Sequence, residues 1–332
     1  MHNSNVIILG AGICGLILAK KLQNHGFKVK VLDKGRGVGG RMATRRFGGG
    51  RVDHGAQFFT ARGDNMRAVL SDPAVKDVVR VWSKGFATST AGEAFEDGHP
   101  RYMALNGMSS IPKALAKGLD IQTSVKIDLT ERKDSSWALK SAEGEFFNAD
   151  LLIMTCPAEQ ALRLLHHGEV QLNSNEEKIL KNINYHPSIA LMVKISGESK
   201  IPKPGGIRFD SGPISWIADN TQKGLPTQNP DESLITIHSD PLFAEENWEE
   251  DLSIAAQKLL EEAKAWVGDS VVEWQPHRWR YSLSLQKMEP GFLKLSGPPI
   301  GYIAGDGFGG GKIEGAVNSA FATFQALIES ES

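Results

Sequence analysis

The sequence predicts an α/β protein of two domains, one built around a parallel sheet from both ends of the chain and one of mixed sheet inserted between them. Three observations lead there. A β-α-β unit of about 30 residues opens the chain, with apolar Val6-Ile7-Ile8-Leu9 before the helix and Lys28-Val29-Lys30-Val31-Leu32 after it. A strand, a glycine-rich turn and a helix close it, over Ile300–Ala304, Gly305–Lys312 and Glu314–Ile328. The middle mixes strands and helices without βα alternation.

Between those ends the elements follow from periodicity. Gly12 to His25 reads as a helix with Ile13, Leu16, Ile17 and Leu22 at core spacings, ended by Gly26. Residues 34–51 hold seven glycines and six basic side chains and read as a loop, with extended chain returning over Val52–Thr60. Helices are expected around Asn65–Leu70, Ala74–Trp82 and Ser109–Lys117, the last with Pro112 in its first turn. Val125–Thr130 and Trp137–Lys140 read as a hairpin, and Leu151–Met154 as a buried strand followed by a helix from Pro157 to Leu165. Ile189–Ile195 and Leu234–His238 are strand-like, 200–230 reads as a loop, and Leu252–Trp266 is an amphipathic helix.

Composition narrows the function. The 332 residues are 41% hydrophobic and 23% charged, an ordinary globular mix. A net charge of −2 argues against nucleic acid as partner. Two cysteines, Cys14 and Cys156, allow neither a disulfide framework nor a cysteine metal site; no metal is expected, and a reducing, cytoplasmic setting fits. The apolar run Asn5–Ala19 lacks the basic start of a signal peptide, and no other run approaches a membrane span.

Gly10-Ala11-Gly12-Ile13-Cys14-Gly15 fits GxGxxG in its required place, after a strand and opening a helix. The first glycine permits the turn, the second lets backbone approach a pyrophosphate, and the third lets helix pack on strand. The helix start supplies free N–H groups and positive dipole. Asp33, 18 residues after Gly15, ends the second strand, where a carboxylate accepts bonds from an adenosine ribose. These residues predict an ADP half-site.

Three more segments bear on which dinucleotide it is. Arg41, in Gly39-Gly40-Arg41, could pair with pyrophosphate bidentately. Asp53-His54-Gly55-Ala56-Gln57-Phe58-Phe59 is a small-residue turn that would admit a flat ring. Asp306 stands at the end of a late strand, where it could hold ribityl hydroxyls, and the helix start at Glu314-Gly315-Ala316 would aim its dipole at a flavin. Together they predict FAD. The basic side chains Lys34, Arg36, Arg41, Arg45, Arg46, Arg51 and Arg62 exceed what one pyrophosphate needs; they are either solvated loop charges or sites for substrate phosphates.

With these motifs the chain resembles the renalase family, flavoproteins related to the amine oxidases that share the fold of p-hydroxybenzoate hydroxylase. The likeness runs end to end. It includes Gly39-Gly40-Arg41-Met42, the segment from Asp53 to Arg62, Asn106-Gly107-Met108-Ser109, His277-Arg278-Trp279-Arg280-Tyr281, and Gly305-Asp306 with Glu314-Gly315-Ala316. The resemblance implies a Rossmann-like FAD domain over 1–62, 105–165 and 296–332, and a mixed-sheet substrate domain over 63–104 and 166–295. It implies noncovalent FAD, held at Gly10, Gly12, Ile13, Cys14, Gly15, Asp33, Lys34, Gly40, Arg41, Ala56, Gln57, Val125, Asp306, Lys312 and Ile313.

It further implies oxidation of 2-dihydro isomers of NAD(P)H to NAD(P)+ by hydride transfer to flavin, with dioxygen or a quinone as electron acceptor. Such a transfer needs no nucleophile or strong base, so no acid or base is assigned. It needs a ring held against the flavin and shielded from water. Candidate pocket residues are Gln57, Phe58, Phe59, Trp216, His238, His277, Trp279 and Tyr281; the aromatics could equally be core, and the histidines structural. Lys312 and His54 stand where some relatives carry Arg and Met. An amine oxidase or desaturase on the same fold, and a flavin-binding sensor without turnover, are the rival readings.

Overall fold

The computed structural model describes residues 4–90, 94–284 and 286–330. Its first sheet has six strands in the order Phe292–Leu295, Gly301–Ala304, Leu151–Met154, Asn5–Leu9, Lys28–Asp33 and Asp120–Thr123. Five run parallel and Phe292–Leu295 runs antiparallel at one edge. Asn5–Leu9 and Leu151–Met154 sit at the centre and are apolar because both faces are covered. On one face lie the first helix, Ile13–Asn24, and the last, Lys312–Glu329. On the other lie a three-stranded sheet carrying the fully buried Trp137 and the helices Ala158–His167 and Ser174–Asn182.

The second sheet has seven strands in the order Val271–Leu283, His186–Ser196, Glu232–Ser239, Ile214–Asp219, Gly206–Arg208, Val79–Thr88 and Ala94–Ala104. Alternation sorts its side chains. Ile189, Leu191, Val193, Ile195, Ile235 and Ile237 pack on the helix Leu252–Val267. The opposite face meets the segment 44–59, where Phe47 and Val52 pack on Met192 and Leu234.

Several expectations need correction. The helix expected over Ala74–Trp82 is a single turn, Lys76–Val78, followed by the strand Val79–Thr88, because Val79 and Val81 fit an antiparallel pair with Ala94–Ala104 better than a helix. The loop expected over 34–51 contains a hairpin, Thr44–Phe47 with Gly50–Asp53, turned by Gly48 and Gly49 at φ +57° and +83°. The loop expected over 200–230 contributes two strands of the second sheet. Packing also cuts across the expected boundaries. Phe292–Leu295 pairs in the first sheet, Leu180 and Ile183 are buried against it, and Met66 and Val69 join the core beneath the last helix.

Candidate active site

The opening turn is shaped by three glycines under three different constraints. Gly10 adopts φ +112°, and a Cβ there would come within 2.6 Å of Thr155 Oγ1. Gly15 lies against the turn itself, where a Cβ would stand 2.0 Å from the Gly10 carbonyl oxygen. A Cβ on Gly12 would meet nothing within 4 Å. Gly12 is the N-cap of the first helix and has no capping side chain, so the first-turn N–H groups have no side-chain acceptor there. Asp33 accepts from the backbone N–H of Ala11 and of Gly35, both at 2.6 Å, which ties the second strand to the turn. The Val125 N–H donates to the Asp33 carbonyl.

Ile13 and Cys14 are buried in the helix, and desolvation raises the Cys14 thiol pKa well above its usual range, so Cys14 packs rather than reacts. Lys34 is exposed and donates to Gln160 Oε1. Cys156, at the end of a central strand, has its thiol pushed up to about 11 by burial.

Arg41 and Asp306, expected at opposite parts of a cofactor, bind each other. Nη1 donates to Oδ2 at 2.7 Å and Nη2 to Oδ1 at 2.5 Å, and Nη1 also donates to the Tyr281 carbonyl at 3.1 Å. Burial lowers the guanidinium pKa and Asp306 more than offsets that, so Arg41 stays charged. The loop carrying Gly40 and Arg41 is joined to the small-residue turn by the Ala56 N–H, which donates to the Arg41 carbonyl. Gly55 is required beside it, since a Cβ there would stand 2.0 Å from that same oxygen. Lys312, at φ +60°, and the buried Ile313 begin the last helix, whose N-cap Gly311 has no side-chain cap.

The expected pocket residues divide into separate groups. His54, His277 and Trp279 cluster, with ring centroids 5.1 Å apart for His54–His277 and 4.5 Å for His277–Trp279. The His54 carbonyl accepts from Trp279 Nε1 at 2.8 Å and from His238 Nε2 at 3.2 Å. Burial, reinforced by neighbouring positive charge, pushes His54 to about 3. Burial likewise takes His238 to about 4 and lowers His277. His54 and His238 are therefore neutral at pH 7.

Phe58 and Trp216 join Trp82 and Phe86 in a second cluster, where Trp216 Nε1 is buried without a partner. Phe59 turns away into the first domain's core and stacks on Tyr102 at 5.5 Å. Tyr281 packs edge-on to Tyr185 and donates its hydroxyl to Glu159, so it lies nearer Arg41 than the histidines. Gln57 donates to the carbonyls of Asp53 and Gly55, and its Oε1 is buried without a partner.

The most buried polar feature is one that sequence reasoning missed. Lys223 Nζ lies 2.7 Å from Asp53 Oδ2 and 2.5 Å from the Gln57 carbonyl, with both charged side chains fully buried. Asp53 also accepts from Thr44 Oγ1 and the Met108 N–H, and its carbonyl accepts from Thr236 Oγ1. Desolvation lowers the Lys223 pKa, and the Asp53 charge opposes that. The network joins the two ends of the 53–57 turn to the second sheet. In sequence Lys223 is one lysine in a polar turn, and nothing there signals its burial.

Comparison with known proteins identifies the family. A model described as flavin-containing amine oxidoreductase matches residues 79–328, and one described as an NAD(P)-binding Rossmann-like domain matches 8–73. The chain belongs to the flavin-containing amine oxidoreductase family. Like the family, it is an FAD-dependent oxidoreductase with a Rossmann-like domain and a mixed-sheet domain. It is 25% identical to mouse renalase over 347 positions, covering 98% of both chains. In fold it is similar to a candidate protoporphyrinogen oxidase from Exiguobacterium sp. 255-15 (TM-score 0.70, 15% identity, all of both chains). It is similar also to a putrescine oxidase solved with putrescine (TM-score 0.69, 12% identity, 98% of this chain and 99% of the other).

The residues present fit the family's cofactor. The open space over Gly12, two helix starts without side-chain caps and the unpartnered Gln57 Oε1 are features that a dinucleotide flavin could use. Neither cysteine lies in the closing motif, which agrees with noncovalent FAD. Among the described residues no helix is long and apolar enough to cross a membrane, and no three His, Cys, Asp or Glu side chains group as metal ligands.

Proposed function

We propose that this flavoprotein oxidises 2-dihydro isomers of NAD(P)H to NAD(P)+, passing the electrons to dioxygen or a quinone. The observation that carries the reading is the neutral cluster His54, His277 and Trp279, held against the turn expected to take the flavin. It contains no carboxylate, and burial makes its imidazoles weak bases. Hydride transfer from a dihydropyridine needs neither a carboxylate nor a strong base. The C–H bond breaks with both electrons leaving on hydrogen, and the ring left behind is an aromatic pyridinium. Bound FAD supplies the acceptor for that hydride.

The chain's own residues would then orient and shield. The Trp279 indole is fixed by its bond to the His54 carbonyl and offers a flat wall. His54 Nδ1 is buried without a partner, and a carboxamide on the substrate ring could satisfy it. Amine oxidation fits less well, because Arg45 places positive charge beside His54 and His277, where a cationic amine would be repelled.

The test is anaerobic mixing of holoenzyme with a panel of donors. Flavin absorbance should bleach fastest with 2-dihydro-NAD(P). Faster bleaching by ordinary β-NADH or by a primary amine would overturn the assignment.

A further inference from the structure

We propose that Arg45 binds a phosphate group of the substrate and makes the site select nucleotides over the bare dihydronicotinamide ring. The proposal deepens the dihydronicotinamide reading and rests on it. Seven basic side chains, Lys34 through Arg62, could serve a phosphate, and the structure separates them. Arg41 is held by Asp306, Lys34 donates to Gln160, and Arg51 donates to the Asn106 carbonyl. Arg36, Arg46 and Arg62 are exposed. The Arg45 side chain is half-buried and has neither hydrogen bond nor ion pair among the described residues.

Its direction follows from strand register. Arg45 lies opposite Val52 in the hairpin, so both side chains leave the same face. Val52 and Phe47 pack on Met192 and Leu234, so that face is turned to the second sheet. On that sheet Met192 pairs with Gln275, and Ala190 with His277. Arg45 therefore stands beside the row that carries His277, and its charge depresses the proton affinity of both His277 and His54.

Among the charged groups on this face, Lys194 holds Glu232 at 2.9 Å. Glu273 lies one row further along, opposite Lys194, and does not pair with Arg45. A half-buried guanidinium with no counter-charge is costly unless an anion arrives. The anion expected beside a dihydronicotinamide ring is the phosphate on its ribose. The FAD pyrophosphate is the other possible source. It belongs at the Gly10–Gly15 turn on the first sheet, whereas Arg45 faces the second.

The test compares three donors with the same reactive ring: the 2-dihydronicotinamide riboside, the mononucleotide and the dinucleotide. Each is mixed anaerobically with wild-type and Arg45→Gln holoenzyme. Wild type should be reduced about 10- to 100-fold more efficiently by the phosphate-bearing donors than by the riboside, the range for a charge-assisted bond. In Arg45→Gln that ratio should fall to near one, with FAD content retained, and Arg45→Lys should recover part of it. A ratio unchanged by Arg45→Gln overturns the proposal, as does a wild type indifferent to phosphate, and loss of FAD would assign Arg45 to the cofactor. If no donor bleaches the wild-type flavin, the dihydronicotinamide reading fails by itself. Calorimetric titration of holoenzyme with ADP then still decides on Arg45: at least 10-fold weaker binding to Arg45→Gln supports the anion site, and equal binding ends it.

Discussion

The two sheets build their halves of the site by opposite means. At the first sheet the turn at Gly10–Gly15 works through backbone: glycines, free N–H groups and one carboxylate 22 residues from the N–H it accepts. At the second sheet the face works through side chains brought from far apart, such as Lys223 on Asp53, 170 residues away, and Trp279 on His54, 225 away. Backbone requirements tolerate few residue types and leave a pattern. Side-chain requirements met across strands can be satisfied in many ways and leave almost none. The first half is therefore sensitive to an added methyl, the second to a lost charge or a changed protonation state.

The largest effect is expected at Lys223. Lys223→Met leaves the buried Asp53 carboxylate without its counter-charge, a change of about 3–5 kcal/mol. Denaturant unfolding should show that loss. The double variant with Asp53→Asn should be less destabilised than the two single changes added together. A loss below about 1 kcal/mol for Lys223→Met would mean that the pair does not hold the turn to the second sheet.

Next comes a pair of glycines that separates structure from ligand within the first half. Gly15→Ala drives a methyl into the Gly10 carbonyl and should destabilise the protein by about 1–3 kcal/mol even without FAD. Gly12→Ala meets no protein atom and sits at φ −71°, which alanine accepts. Its apoprotein should melt as wild type does, while FAD dissociates more readily. Equal melting losses in the two apoproteins would show that the space over Gly12 is not reserved for a ligand.

The same contrast explains what was legible in the sequence. The opening and closing β-α elements could be read because each is local and periodic. The turn, Asp33 and the cofactor class followed from them. Arg41 and Asp306 each stand out in the sequence, yet their pairing across 265 residues does not, because nothing local encodes it. Trp82 is expected on a helix and lies on a strand, since a short run such as Val79-Arg80-Val81-Trp82 suits either period until its partner strand is known. The sequence makes both Phe58 and Phe59 candidates for the pocket. On extended chain, neighbours face opposite ways, and Phe59 faces the core.

The smallest effect expected concerns protonation on the second-sheet face. His54 is held at about 3, against about 6.5 for an ordinary histidine. Below pH 6.5 the unfolded chain takes up a proton at this position that the folded protein refuses, so stability is lost as pH falls from about 6.5 toward 3. At pH 5 His54 alone accounts for about 2 kcal/mol. His238, at about 4, adds to the loss in the same direction, and Arg45 reinforces it by opposing positive charge on His54. His54→Gln removes one titrating group and keeps the carbonyl that Trp279 and His238 bond. Its melting temperature should fall less between pH 7 and pH 5 than that of wild type, by a few degrees. The Lys223–Asp53 pair is present in both proteins and drops out of the difference. An identical slope in the two would place the acid sensitivity elsewhere and would remove the neutral histidine cluster as the mark of this half of the site.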